Sequence, residues 1–364
     1  MADQSKIEWT EATWNPITGC TVKSAACRDC YAMTLAGTRL KNHASRAGLT
    51  RQNADGKHIW TGEVRFNQAW LDQPLKWKKP RNIFVCAHSD LFHEDVPDEW
   101  IDPVFAVMAL CHDDSLADWS DRPNHIFQIL TKRADRMRKY MTDPGLWGRI
   151  QNVIDNWESE DGCPFDGHAP IMQNELFDHI WMGVSVEDQK AADERIPQLL
   201  ATPAAVRWIS AEPLLGPVDL ENIYLRREGQ LPNDLSSKLG DYVRPLAGNF
   251  VGSPKIDWVV LGGESGSTAR PMHPDWARQI RDDCEAAGVP FFFKQWGEYA
   301  PHPSGEEVTI RQFHNSIRYV GIETGECKPH PDRHTDETMR RMGKKKAGRQ
   351  LDGRTHDAMP MVQS

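Results

Sequence analysis

No apolar run among the 364 residues approaches the roughly 18 that a membrane-spanning helix requires. No apolar stretch follows Met1-Ala2-Asp3-Gln4-Ser5-Lys6, where a secretory leader would carry one, so a cytoplasmic location is expected. Positive charge is in deficit, 43 Lys and Arg against 52 Asp and Glu, which argues against a nonspecific binder of duplex DNA. His93-Glu94-Asp95 does not extend to the H-E-x-x-H of a zinc protease. The serine of Gly262-Gly263-Glu264-Ser265-Gly266 is out of place for a hydrolase elbow. There is no internal repeat and no long low-complexity tract. In a reducing compartment the eight cysteines are not expected to pair as structural disulfides.

What is there is enough apolar residue, 39%, to bury a core, at a length that suits one large α/β barrel or two ordinary domains. Six short apolar runs stand at 82–87, 125–130, 179–184, 206–213, 257–264 and 290–296. Runs of this kind suit strands buried on both faces, as in a parallel sheet. Segments with helical spacing lie between or beside them, at 97–111, 134–140, 187–200 and 274–287. Asp98 and Asp275 stand near helix starts, and Gly288 follows a stop. The alternation predicts an α/β fold, either a (β/α) barrel or an open doubly wound sheet.

Each run ends in polar residues, and in such folds the C-terminal edge of the strands holds the chemistry. Ser89, Asp90, Thr131, Lys132, Ser185, Glu187, Ser210, Glu212, Glu264, Lys294 and Gln295 are therefore expected around one mouth. The barrel is expected over residues 1–300, with insertions at about 155–178 and 221–256. Residues 301–364 read as a C-terminal extension. Within it, from Arg333 to Arg349, seven Lys and Arg face only Asp336 and Glu337. This basic end is either a solvated face or a contact for nucleic-acid phosphates.

Cys20, Cys27 and Cys30 fall within eleven residues, spaced C-x6-C-x2-C, while the other five cysteines are scattered. Thiolates so grouped favour soft metals and iron–sulfur clusters. With no obvious fourth ligand nearby, one coordination position stays open, unlike a structural zinc site with its four protein ligands. The scattered histidines His88, His93, His112 and His125 lack paired metal spacing.

The segment Trp14-Asn15-Pro16 leading to Gly19-Cys20, then Cys27-x2-Cys30-Tyr31-Ala32, resembles the phage-associated three-Cys-motif family of radical S-adenosylmethionine (SAM)-like proteins. Ser89-Asp90-Leu91-Phe92-His93, Leu130-Thr131-Lys132-Arg133, Gly183-Val184-Ser185-Val186-Glu187, Glu212-Pro213-Leu214-Leu215-Gly216, Gly262-Gly263-Glu264-Ser265-Gly266, Arg270-Pro271-Met272-His273-Pro274 and Phe293-Lys294-Gln295-Trp296-Gly297 continue the match. Residues 343–360 are also family-like. The chain departs from the commonest radical SAM motif, C-x3-C-x2-C. Its first gap is six, and Tyr31 follows the last cysteine instead of an aromatic preceding it.

The resemblance implies a radical SAM-type partial TIM barrel in which Cys20, Cys27 and Cys30 hold a [4Fe–4S] cluster and SAM binds its open iron. One electron, from a flavodoxin-like or ferredoxin-like donor, would cleave SAM to a 5′-deoxyadenosyl radical that abstracts hydrogen from a substrate. A nucleotide or a modified, phage-type DNA base is the expected substrate class, in a host cytoplasm if the chain is phage-encoded. Cofactor binding is expected of Ser89, Asp90, Lys132, Ser185, Glu187 and Glu212; Ser89 and Asp90 end the second strand, where such proteins hold the SAM amino group. Catalysis or substrate binding is expected of Tyr31, Glu264, Lys294 and Gln295. Lys294 suits a Schiff base or a phosphate, and Glu264 ribose hydroxyls or substrate. The alternative reading is a non-catalytic zinc- or cluster-binding protein that recognises nucleic acid or a protein partner.

Overall fold

A computed structural model describes residues 5–111, 124–157, 178–225, 242–302, 317–328 and 337–361. Seven parallel strands form one sheet: β1 (Ala12–Trp14), β2 (Asn82–Val85), β3 (Ile126–Thr131), β4 (Ile180–Ser185), β5 (Val206–Ala211), β6 (Trp258–Gly262) and β7 (Phe291–Gln295). They pair strictly in chain order. A doubly wound sheet would reverse direction, so that expectation is set aside in favour of a single winding. The six apolar runs supply β2 to β7. Three-residue β1, which pairs with β2 from Ala12–Ile83 to Trp14–Val85, was not expected.

The sheet curls into a half-barrel, and one residue demonstrates it. Strands lie ~4.8 Å apart, so β2 and β6 would stand roughly 19 Å apart in a flat sheet. Yet the Trp9 ring lies 4.9 Å from Phe84 of β2, 5.1 Å from Trp208 of β5 and 6.1 Å from Trp258 of β6. These rings, with Trp181 and Phe292, make an apolar floor on the concave face. The alternate residues, such as Ile83, Val85, Phe127, Ile129, Val259 and Leu261, face outward into the main core.

Helices cover that outer face. After α1 (Tyr31–Gly37), they are α2 (Asp98–Leu110), α3 (Ala134–Met141), α4 (Leu146–Asp155), α5 (Gln189–Leu200) and α6 (Pro274–Ala287). The Asp188 side chain caps α5 by accepting from the Ala191 N–H at 2.8 Å. Pro274 opens α6, and Gly288, at φ 67°, closes it in the left-handed conformation. α4 carried no clear signal in the sequence. No helix among the described residues is long and apolar enough to cross a membrane.

Gly183 makes room for the floor. A Cβ there would lie 2.4 Å from the buried Trp208 ring. Gly183→Ala is therefore expected to cost about 1–3 kcal/mol through overpacking and to change the near-ultraviolet circular dichroism of the tryptophan cluster. An unchanged thermal midpoint and spectrum would mean that the ring does not sit over Gly183. Of the other tryptophans near the motifs, Trp14 and Trp296 pack in the outer core and do not join this floor.

Beyond β7 the chain forms an antiparallel sheet, β8 (Tyr299–Pro301), β9 (Ile317–Val320), β10 (Cys327–Lys328) and β11 (Glu337–Arg341), in the order β8-β11-β9-β10. A single helical turn follows, α7 (Lys344–Ala347). The chain then runs along the free edge of β7. Phe292 bridges Asp357, the Phe293 N–H donates to the His356 carbonyl at 2.9 Å, and the Trp258 Nε1–H donates to the Ala358 carbonyl. An edge that would otherwise stay unpaired is thereby covered. Asp352 fixes this segment to α6 through Arg278 and Arg281. In the expected insertions, a two-residue pairing joins Ile223–Tyr224 to Tyr242–Val243. Residues 158–177 and 226–241, and with them Cys163, lie outside the described residues, as do His112 and Arg333.

Candidate functional site

The three-cysteine loop is laid across the C-terminal mouth of the half-barrel. Its entry is built by the residues around Trp14-Asn15-Pro16. Trp14 Nε1–H donates to the Trp70 carbonyl, and Asn15 Oδ1 accepts from the His88 N–H at 2.9 Å. Gly19, at φ 93°, approaches the Glu63 carbonyl so closely that a Cβ would lie 2.1 Å from it. Gly19 then bridges Ser89, whose hydroxyl donates to the Gly19 carbonyl at 2.7 Å.

From there the loop is pinned at three more strand ends. Beyond β3, Arg133 reaches Thr21 Oγ1 at 2.6 Å and Cys20 Sγ at 3.6 Å. Beyond β4, Ser24 stands near Glu187 and helps to hold its carboxyl below the usual range. Beyond β6, Arg270 donates to the Ala25 carbonyl, while Arg28 donates to the Thr268 carbonyl and lies 3.7 Å from Glu264. Cys27 closes a short 3-10 turn, and Cys30 caps α1.

All three cysteines are free thiols. Burial and the neighbouring Asp90 push the Cys20 thiol up to about 12, against the pull of Arg133; Cys30 and Cys27 add to the rise. Burial likewise raises Cys30, opposed by backbone N–H groups and by Lys132. Cys20 and Cys30 thus both stand in the field of Cys27, and a cationic centre is the counter-charge that would favour their ionised form. Among the described residues, no three His, Cys, Asp or Glu side chains already stand in metal-binding geometry. The donor set itself, three soft thiols with two cationic side chains at hand, fits an iron–sulfur cluster.

The expected mouth residues separate into engaged and available. Asp90 is buried and accepts from Thr131 Oγ1 (2.6 Å), the Lys132 N–H (3.0 Å) and Arg133 Nη1 (3.2 Å). Ser89 and Asp90 thus shape the loop and the 131–133 turn. Glu187 is held by Arg195 at 2.7 and 3.2 Å; burial acts to raise its carboxyl, and Arg195, with help from Lys132, keeps it below the usual carboxylate range. Glu264 accepts from the Arg270 backbone and guanidinium. Lys294 donates to both oxygens of Glu212 at 2.7 and 2.8 Å, so its ammonium is held as an ion pair. Gln295 bridges Glu212 and Ser265 through Nε2, while its buried Oε1 has no partner among the described residues.

Ser185 and Ser210 sit side by side in register at the tops of β4 and β5. The Tyr31 hydroxyl donates to the Ala87 carbonyl at 2.5 Å, leaving half of the side chain exposed. Lys132 is half-buried and within electrostatic reach of Cys30 and Glu187. Among the described residues its ammonium makes no hydrogen bond or ion pair.

Sequence reasoning missed the arginines. Arg133, Arg195, Arg270 and Arg28 hold the acids and the loop, from partners up to 245 positions away in the case of Arg270 and Ala25. Arg28, Arg133 and Arg270 stood inside recognisable motifs, and Arg195 stood in none. His93 was weighed as a lone histidine and bonds Thr21 Oγ1 at 2.8 Å.

Residues 4–360 match the family described as Protein of unknown function (DUF5131). Neither the curated proteins nor the solved structures provide a match. The match takes in the half-barrel, the three-cysteine loop and the C-terminal segment along β7, and the chain belongs to the DUF5131 family.

Proposed function

We propose that the mouth is the reaction site of a radical SAM enzyme of the three-cysteine type. The observation that carries this reading is the placement of three free thiols on one loop across the C-terminal mouth of a parallel half-barrel. Cys20, Cys27 and Cys30 would hold the cluster. When bound, a [4Fe–4S] cluster with one open iron supplies the site for SAM and the electron that splits it to methionine and a 5′-deoxyadenosyl radical.

The protein's part is to orient and to exclude water. The tryptophan floor closes the site from below. Lys132 offers an uncommitted positive charge for an anionic group of the cofactor. The serines of β4 and β5 offer hydroxyls beside it. Ser89, Asp90 and Arg133 are positioning residues, because they act through the loop. The Glu212–Lys294 pair and Tyr31 face the substrate, which we take to be a nucleotide or a modified DNA base. A flavodoxin-like or ferredoxin-like protein would deliver the electron.

The test is anaerobic reconstitution with iron and sulfide, followed by dithionite and SAM. A brown protein that forms 5′-deoxyadenosine is expected. A reconstituted cluster that never cleaves SAM would sink the catalytic reading. A colourless protein with one zinc per chain would replace it with a zinc-binding role.

A further inference from the structure

Residues 337–361 carry seven Lys and Arg and three Asp and Glu, on a chain whose net charge is −9. Two of those acids are already engaged, Asp352 with Arg278 and Arg281, and Asp357 with Arg349. They do not neutralise the lysines. Lys344, Lys345 and Lys346 are consecutive and exposed on α7. Lys344 lies 3.6 Å from Glu8, and among the described residues Lys345 and Lys346 form no ion pair.

This is not a loose basic end. The Ala347 N–H donates to the Gly343 carbonyl at 3.0 Å, and the Gly348 N–H to the Lys344 carbonyl at 3.2 Å. The turn is anchored to the rim of the mouth on both sides. Before it, Met342 and Gly343 donate to the Glu298 carbonyl, and Arg341 to the Gly266 carbonyl just beyond β6. After it, the Gly348 carbonyl accepts from the Trp296 N–H, and the Gln350 carbonyl from Trp296 Nε1–H, just beyond β7. Three like charges held on one fixed turn repel one another, and a polyanion relieves that repulsion.

We propose that the Lys344–Lys346 turn is a docking surface for the phosphate backbone of a nucleic acid, set on the rim so that the bound strand passes the mouth. The inference deepens the reading of the mouth as a reaction site. Its test needs neither cluster nor SAM, so the two fail separately.

Fluorescence anisotropy with labelled single-stranded and duplex oligonucleotides, across a salt series, measures the contact. The triple substitution Lys344→Gln, Lys345→Gln, Lys346→Gln is expected to weaken binding about 10-fold or more. It should also make the slope of log K against log salt shallower by about 2, since each phosphate contact contributes roughly 0.7 to 0.9. The exposed pair Lys78→Gln, Lys79→Gln, just before the N-terminal end of β2, should leave both quantities unchanged. Equal affinity and slope in wild type and triple variant would overturn the proposal. So would binding to anionic phospholipid vesicles without binding to either oligonucleotide.

Discussion

Cys27→Ala, reconstituted beside the wild type, is expected to lose its cluster and all 5′-deoxyadenosine formation. Three thiolates are the fewest that hold a four-iron cluster with one iron open, so losing one leaves no partial site. The loss should not reflect unfolding. Cys27 is half-buried and outside the apolar core. Its backbone N–H donates to the Ser24 carbonyl whatever its side chain, and the hydroxyl contact of its thiol among the described residues is a long one, 4.0 Å to Ser24. With both proteins cluster-free, the stability is therefore expected to change by no more than in an ordinary surface substitution, about ±0.5 kcal/mol. Cys284→Ala is the contrasting variant. Cys284 is fully buried on α6, so its replacement should lower stability while keeping iron and activity. If Cys27→Ala retains iron and cleaves SAM at the wild-type rate, the loop does not hold the cluster.

Arg195→Met is expected to destabilise the fold by about 3–5 kcal/mol, because it leaves the Glu187 carboxylate buried without its partner. Both side chains are almost fully buried, and Arg195 also donates to the Ser185 carbonyl at 2.8 Å. Ser24 and Lys132 remain near Glu187 and offset only part of the loss. The pH dependence identifies the cause. In the wild type the Glu187 carboxyl lies below its unfolded value. The pair therefore stabilises the fold above the unfolded carboxylate pKa of about 4.3, and that contribution disappears as pH falls through the lower folded value. In Arg195→Met the orphaned carboxyl is pushed upward, so protonation relieves the variant. The gap between the two proteins should narrow as pH falls through the variant's raised carboxyl value toward the wild type's lowered one. Denaturant midpoints at pH 7 and pH 4 measure it. The double variant Arg195→Met, Glu187→Met should recover most of the stability. A gap that is unchanged with pH, or a double variant no better than the single one, would show that the pair is not the source.

The strands were the most legible part of the molecule. A strand buried on both faces must be apolar along its whole length, and 82–87 or 257–262 show that without any partner. The C-terminal mouth was legible for a related reason, since the apolar run ends where the chain meets water. β1 was not, because three residues set no period. The status of the acids was not legible either. Glu187, Glu212 and Glu264 look alike at strand ends, yet their partners are Arg195 on the next helix, Lys294 two strands on, and Arg270 in the following loop.

Element type and order were decided locally, by apolar spacing, caps and turn residues that act over a few positions. The curl of the sheet, the tryptophan floor under Trp9 and the path of the cysteine loop over the mouth were decided only in three dimensions. They depend on contacts such as Trp9 to Trp258, Ser89 to Gly19 and Arg270 to Ala25. No local pattern encodes those pairings. They form because the curled sheet brings distant segments to one rim, where each buried charge must find a counter-charge and each buried polar group a hydrogen bond.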